Sequence, residues 1–301
     1  MWTISKVALG VALLSIINVA QAQSLGPRPA PLPEKQTLVI GNVKVGHLSS
    51  LVLAAEDLKQ CNVDVQTAEF VRYADARTAL LSGSVDVAGI GPADLAITLG
   101  QGSDRIVGLM GVASSPKYLV VRKGVQIKDW SDIEGKRIGI APGSAVWFQW
   151  AATLTEKKIP YTSFTAVNIQ GGGTAFVQAL ERGDVDAVAL WEPFETQAVS
   201  SEIGYFADSM DYSTSEAVGA ELGLLAASRE ALQNKRDALK CFLWSYKTAE
   251  AKLANDPELF AQTYSKYTGL PMDVTRESVK VLKLGGSAGS CAARAPSQVV
   301  P

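Results

Sequence analysis

The stretch Ala79-Leu80-Leu81-Ser82-Gly83-Ser84-Val85-Asp86 returns one hundred residues later as Ala179-Leu180-Glu181-Arg182-Gly183-Asp184-Val185-Asp186. Ala, Leu, Gly, Val and Asp stand at equivalent places in both copies. In each, an apolar helix end meets a glycine suited to a left-handed C-terminal cap. The chain then returns through a tight turn into a buried strand. Both strands run on into a proline-containing turn that opens another helix: Gly91-Pro92 in the first copy, Trp191-Glu192-Pro193 in the second. Any α/β protein makes such returns, but shared identities in matching contexts indicate two similar lobes.

Outward from this repeat the two halves follow one plan. In the first, Thr37–Val43, Val63–Gln66 and Val85–Ile90 read as strands. Ser49–Leu58, Ala74–Ser82 and Ala93–Leu99 read as helices, with Ser49 or Ser50 as the first N-cap. In the second, the strand Arg137–Ile140 passes through Pro142-Gly143-Ser144 into the helix Ala145–Glu156. A strand Phe164–Asn168, a Gly171–Gly173 break, a helix Thr174–Arg182 and a strand Val185–Leu190 follow. Strands alternating with helices at these spacings predict an α/β fold with mostly parallel sheets. Arg105–Val121, broken at Ala113–Pro116, carries the chain from one lobe to the other, and Tyr205–Ser228 carries it back. Helices are expected at Arg229–Gln233, Lys235–Ala254, Pro257–Tyr267 and Met272–Leu284. The expected organisation is residues 37–112 with 218–284 as lobe one and 113–217 as lobe two with the crossings. Two crossings imply a hinge with a cleft beside it, where small ligands bind.

Composition narrows the function. The chain has 301 residues, 28 Lys+Arg against 30 Asp+Glu, one His and three Cys. Near-neutral charge leaves no basic footprint for nucleic acid. One His and scattered Cys exclude His-rich and CxxC metal sites, so neither a metal nor a cofactor is expected. Residues 1–22 read as a secretory signal peptide: Lys6, an apolar run from Val7 to Val19, and a small-x-small site at Ala20-Gln21-Ala22. The expected product is soluble and exported. Residues 23–36, rich in proline, read as an extended leader, and 285–301 as a disordered tail. Export permits disulfides, and a Cys61–Cys241 bridge, which would be long-range, stays open; because spacing does not give geometry, the two are read as buried thiols with Cys291 left over.

A search for catalytic residues finds no GxSxG, no His-Asp or Cys-His constellation and no dinucleotide fingerprint, so no catalytic residue is assigned. Gly171–Gly173 lacks the Lys and Ser/Thr of a phosphate loop and fixes a turn. His47 could be a general base or a hydrogen-bonding residue of a loop. Binding fares better. Three turns, Gly46–Ser50, Gly91–Ala93 and Pro142–Ala145, open helices at the carboxyl ends of strands, which surround the crevice in an open α/β sheet. Helix N-termini there favour an anion without any Lys or Arg, and Ser49, Ser50 and Ser144 add hydroxyls. Trp147 and Trp191 line either the cleft or the core. Glu192 either holds a ligand ammonium or is simply solvated.

Taken in order, Gly83-Ser84-Val85-Asp86 with Gly89-Ile90-Gly91, IEGKRIGI at Ile133–Ile140 with Pro142-Gly143-Ser144, and Gly183-Asp184-Val185-Asp186 with Leu190-Trp191-Glu192-Pro193 closely resemble the periplasmic substrate-binding proteins of ABC importers for aliphatic sulfonates, nitrate and taurine. The resemblance covers Thr37–Leu284. It implies a type II periplasmic-binding-protein clamshell, a monomeric receptor that closes on a small anion and docks on an inner-membrane ABC permease. By position it implies ligand contacts at Ser49, Ser50, Gly91, Pro92, Ser115, Gly143, Ser144, Ala145, Trp191 and Glu192. Trp147 stands where sulfonate and nitrate binders often carry a His, which implies a drier site or a larger, more aromatic ligand. Two other functions stay open: a pyrimidine-precursor (thiamine-related) binding or synthesis protein, which would favour aromatic stacking, and a ligand-sensing domain.

Overall fold

The structure, a computed structural model, describes residues 25–285. The expected signal peptide of residues 1–22, Cys291 and all but the first residue of the expected tail lie outside the described residues. Two sheets carry the fold. The first contains β1 (Gln36–Val43), β2 (Val63–Phe70), β3 (Val87–Ile90), β4 (Ile106–Ser114), β10 (Glu221–Ser228) and β11 (Lys283–Leu284), in the order β11-β4-β10-β3-β1-β2. The second contains β5 (Tyr118–Arg122), β6 (Arg137–Ile140), β7 (Thr165–Asn168), β8 (Ala187–Val188) and β9 (Gly204–Asp211), in the order β7-β6-β8-β5-β9. In each sheet β1 or β6 is the central strand of a parallel trio at one side; the other pairings are antiparallel, so both sheets are mixed and not mostly parallel as expected. An antiparallel strand then comes in from across the hinge: β10 on β3, and β5 on β8.

The sequence repeat has a specific structural meaning. Helix α2 (Tyr73–Ser82) ends at Gly83 with φ +76°, and α5 (Gly173–Arg182) ends at Gly183 with φ +75°. Only glycine takes that conformation without steric cost. Ser84 N–H returns to the Ala79 carbonyl at 3.0 Å, and Asp184 N–H to the Ala179 carbonyl at 2.9 Å. The aspartates then fasten the central strands. Asp86 N–H donates to Val39 O and Asp86 Oδ2 accepts from Val39 N–H, at 2.8 and 2.7 Å. Asp186 makes the same pair of bonds with Arg137, at 2.8 and 2.9 Å.

The remaining helices are α1 (Ser50–Asp57), α3 (Pro92–Gly100), α4 (Ala145–Glu156), α6 (Phe194–Ser200), α7 (Arg229–Asn234), α8 (Arg236–Ala254), α9 (Pro257–Thr268) and α10 (Met272–Val281). Among the described residues no helix is long and apolar enough to cross a membrane. The buried strands and helices of lobe one form one apolar core; lobe two has a core on each face of its sheet. The chain crosses between the sheets at residues 115–117 and 212–220, the two crossings that the sequence predicts.

Some expectations need correction. The last helix stops at Val281 instead of running to Leu284, because Leu282 turns extended and Lys283–Leu284 pairs antiparallel with β4. Ladder pairing at Val185–Leu190 is confined to Ala187–Val188. Asp186 and Ala189 still donate to Arg137 and Gly139 carbonyls, and Leu190 N–H donates to the Tyr212 hydroxyl. Ser49 is the N-cap of α1 by position, but its hydroxyl donates to the Gly46 carbonyl at 2.6 Å and caps nothing.

Cys61 and Cys241, expected as thiols, form a disulfide between the end of the first helical segment and α8, with Cα atoms 6.4 Å apart. Spacing could not reveal it, because the partners meet only when α8 packs on α1. The leader is fastened beside it: Leu32 N–H donates to Cys61 O, Trp244 Nε1 to Gly26 O, and Arg28 pairs with Asp57 at 2.6 Å. A bridge across a sequence separation of 180 residues restricts the unfolded chain, contributing about 2–5 kcal/mol. Cys61→Ser is therefore expected to lower the free energy of unfolding by about 2–5 kcal/mol in a urea titration, as reductant does to the wild type. A midpoint insensitive to both changes would mean the bridge contributes nothing.

Candidate functional site

A cleft of about 430 Å³ opens between the lobes, at the carboxyl ends of the parallel strands of both sheets. Lobe one supplies the turn after β1, including His47, and the passage from Phe70 into α2. Lobe two supplies the turns that open α4 and α5, together with Phe176, Trp191 and Phe194. Three helices of ten to twelve residues thus start at the cavity wall: α2 at Tyr73 and Ala74, α4 at Ala145 and Val146, α5 at Gly173 and Thr174. Their first N–H groups have no intrahelical acceptor, and each helix end carries partial positive charge.

Local sequence explains how these ends are placed. Gly143 has φ +85°, a conformation that turns the chain after β6 toward the cleft. Ser144 then caps α4, its Oγ accepting from Trp147 N–H at 3.1 Å, which leaves the hydroxyl hydrogen free for a ligand. Gly171 and Gly172 also adopt positive φ, and a Cβ on Gly173 would collide with the Phe194 ring. The triple glycine therefore brings the start of α5 against an aromatic wall.

Charge at the cavity is muted. Lys44 pairs with Glu69 at 3.1 Å, and Arg72 with Asp75 at 2.9 Å. Arg72 also donates to Gln170 Oε1 at 2.9 Å, a bond that spans the cleft from lobe to lobe. His47 is buried; desolvation, aided by the nearby Lys117 ammonium, drives its pKa from 6.5 down to about 3, so the ring is neutral. Its Nε2 is hydrogen-bonded to the Tyr73 hydroxyl. Among the described residues no group of three or more His, Cys, Asp or Glu is placed to hold a metal.

Of the residues singled out from sequence, Gly143, Ser144, Ala145 and Trp191 line the cavity. Trp191 sits edge-on between Phe176 and Phe194, with ring centroids 5.5 and 6.1 Å away. Trp147 turns its Nε1 to the Tyr161 hydroxyl at 2.9 Å and packs on the core of lobe two. Ser49 and Ser50 are buried in lobe one and do not reach the cavity wall. Gly91 donates to Asp94 Oδ2 at 3.0 Å. A Cβ there would stand 3.3 Å from Ala145, so the Gly91-Pro92 turn meets α4 across the lobe boundary and does not line the cavity. Ser115 is buried in the first crossing.

Glu192 is 3% exposed, not solvated: Oε1 accepts from Thr196 Oγ1 at 2.8 Å and Oε2 from Ser278 Oγ at 3.0 Å. Burial pushes its pKa up, partly opposed by those hydroxyls and Lys117. Sequence reasoning missed Tyr73, Phe176 and Phe194, as well as the part played by the triple glycine. The available signal was an aromatic or glycine at the first turn of a helix that follows a strand.

No curated protein matches the chain. Among solved structures, it is similar to the alkanesulfonate-binding protein SsuA from Xanthomonas axonopodis pv. citri bound to MOPS (20% identity, TM-score 0.69), over 85% of this chain and 87% of that one. The periplasmic aliphatic sulphonate binding protein SsuA from Escherichia coli gives 18% identity and a TM-score of 0.70, over 83% and 86%. The periplasmic nitrate-binding protein NrtA from Synechocystis PCC 6803 gives 18% and 0.65, over 81% and 69%. At these identities the likeness is one of fold, the periplasmic-binding-protein fold. The family model described as NMT1/THI5 like matches residues 58–259, well over half the sequence, so the chain belongs to the NMT1/THI5-like family.

Proposed function

We propose that the chain is the periplasmic solute-binding receptor of an ABC importer, capturing a small organic sulfonate between its lobes and delivering it to a membrane permease. The observation that carries this reading is the convergence of three helix N-termini on one aromatic-walled cavity whose Lys44 and Arg72 are already paired. The solved neighbours named for binding sulfonates and nitrate support the class. The state of His47 supports a receptor over an enzyme, since an imidazole with a pKa of about 3 is a poor base at neutral pH.

Magnitudes favour an organic anion over nitrate. Each partly buried helix end contributes at most about 2 kcal/mol, and one hydroxyl bonded to a charged group about 2 more. Together these reach about 8 kcal/mol, close to what micromolar binding requires. Association itself costs at least about 4 kcal/mol. The difference has to come from apolar burial, roughly 160 Å² at 25 cal/mol per Å². Nitrate has no such surface, whereas an alkyl or aryl sulfonate has it and matches walls built of Phe176, Trp191 and Phe194. Those same walls favour a second reading, a neutral pyrimidine-type heterocycle stacked on aromatic rings.

A panel of taurine, alkanesulfonates, nitrate and aminopyrimidines, read by thermal shift and calorimetry, separates these readings. The expected result is stabilisation by sulfonates without turnover; stabilisation by heterocycles alone would overturn the anion reading. Ser144→Asp retains a good N-cap but places a like charge at the start of α4, so sulfonate affinity is expected to fall at least tenfold by calorimetry.

His47 also leaves a stability signature. The unfolded chain takes up a proton near pH 6.5, and the native chain does so only near 3. Stability from the buried neutral ring is therefore lost as pH falls below about 6.5. In urea unfolding, the wild type is expected to lose stability relative to His47→Gln by up to about 1.4 kcal/mol per pH unit between 6 and 4.5. A difference that does not change with pH would show that the ring titrates normally.

A further inference from the structure

Two buried side chains behind the cavity wall tie the ligand-facing parts of lobe two to lobe one. Trp191 lines the cavity, whereas the next residue, Glu192, is buried behind it. The Glu192 carboxyl accepts two hydrogen bonds of different reach. Thr196 Oγ1 donates to Oε1 at 2.8 Å from within lobe two. Ser278 Oγ donates to Oε2 at 3.0 Å from α10, a lobe-one helix that packs against α6 and sends Val279 into the lobe-one core. A second link starts from α4, whose first residue, Ala145, lines the cavity. Gln149 on that helix is fully buried, and its Nε2 donates to Gly219 O at 2.7 Å and to Glu221 O at 3.0 Å. Glu221 is the first residue of β10 in the lobe-one sheet.

Neither side chain belongs to the cavity wall, yet each sits on an element that does. The backbone crossings alone leave the lobes joined by two strands of chain. The two side-chain links add restraint where Trp191 and the start of α4 are held, and in a buried setting a hydrogen bond is not diluted by competing water. A ligand that engages both walls needs Trp191 and the α4 end at one spacing from the α2 side of lobe one. Where only a fraction of molecules holds that spacing, apparent affinity falls by the same fraction.

We propose that Glu192 and Gln149 are positioning residues of the receptor. Without touching the ligand, they hold Trp191 and the N-terminus of α4 against lobe one, in the orientation that lets one small molecule meet both walls. Ser278 is the lobe-one partner through which Glu192 acts. The proposal rests on the receptor reading and gives Glu192 a role other than holding a ligand ammonium.

The test compares Ser278→Ala, which removes the bond between lobes, with Thr196→Val, which removes a bond to the same carboxyl inside lobe two. Gln149→Leu probes the second link and serves if Ser278→Ala does not fold. Spin labels on Thr78→Cys and Gln178→Cys, exposed sites of α2 and α5, report lobe separation in the ligand-free chain by pulsed electron paramagnetic resonance. Cys291→Ser is the background, and calorimetry with butanesulfonate reads affinity. Ser278→Ala and Gln149→Leu are expected to broaden the distance distribution and weaken binding by about fivefold or more. Thr196→Val is expected to lower thermal stability but to keep the wild-type distribution and an affinity within about twofold. A role in stability alone would lower the melting temperature of all three and move neither distance nor affinity, and that result would overturn the proposal. Equal effects of Thr196→Val and Ser278→Ala, or tighter binding in Ser278→Ala, would also overturn it. If butanesulfonate does not bind the wild type, the anion reading fails, and the ligand-free distances alone decide: a broadened distribution sustains the positioning role, and an unchanged one ends it.

Discussion

The aspartate that ends each repeat is the constraint on which the cleft depends. Asp86 and Asp186 each hold a neighbouring parallel strand, β1 or β6, by two bonds, taking its N–H on a carboxylate and giving their own N–H to its carbonyl. Each carboxylate also carries a cation, Lys235 on Asp86 at 2.7 Å and Arg137 on Asp186 at 2.9 Å. The return from a helix into the neighbouring strand is thereby fixed in register. The carboxyl ends of β1, β2, β6 and β7 are set at the crevice as a result, and the turns that follow present helix N-termini to it.

Between the lobes a buried cation ties the crossings together. Lys117 is wholly buried, and its Nζ donates to Ser115 O in the first crossing and to Ala220 O in the second. Burial pulls its pKa down to about 8, while Glu195, Asp211, Glu221 and Glu192 pull it back up. It stays largely protonated at neutral pH. Burial, with the neighbouring Glu192 carboxyl, pushes Glu195 well above its ordinary range, and the Lys117 ammonium only partly opposes this. The charges at the hinge and the strand clamps are thus engaged with one another, and Lys44 and Arg72 at the cavity are paired, which leaves dipoles for the ligand.

Sequence and structure agree where one local rule decides the outcome. The glycine caps at Gly83 and Gly183 and the turn at Pro142-Gly143-Ser144 require particular backbone angles that few residues tolerate, so they can be read from the residues alone. The lobes and their two crossings follow from them. What could not be read was tertiary. Whether Glu192 is solvated depends on Thr196 and Ser278, the second of which lies 86 residues away. Whether Trp147 faces the cleft depends on Tyr161, and the Cys61–Cys241 bridge depends on α8 reaching α1. Gly171–Gly173 was legible as a turn, but its purpose emerged only with Phe194 beside it.

The hinge and the cleft together indicate what must drive closure. Lys117 and the short first crossing join the lobes at one edge. At the mouth, the side-chain hydrogen bond described across the cleft is Arg72 to Gln170, both ends exposed. An exposed polar contact of this kind is worth about 0–1 kcal/mol; the buried bonds from Ser278 to Glu192 and from Gln149 to the Glu221 carbonyl also join the lobes. A molecule that touches both walls, the α2 side from lobe one and the α4 and α5 ends from lobe two, would add to the bias toward a closed state. A ligand confined to one wall would bind without changing the equilibrium between open and closed forms.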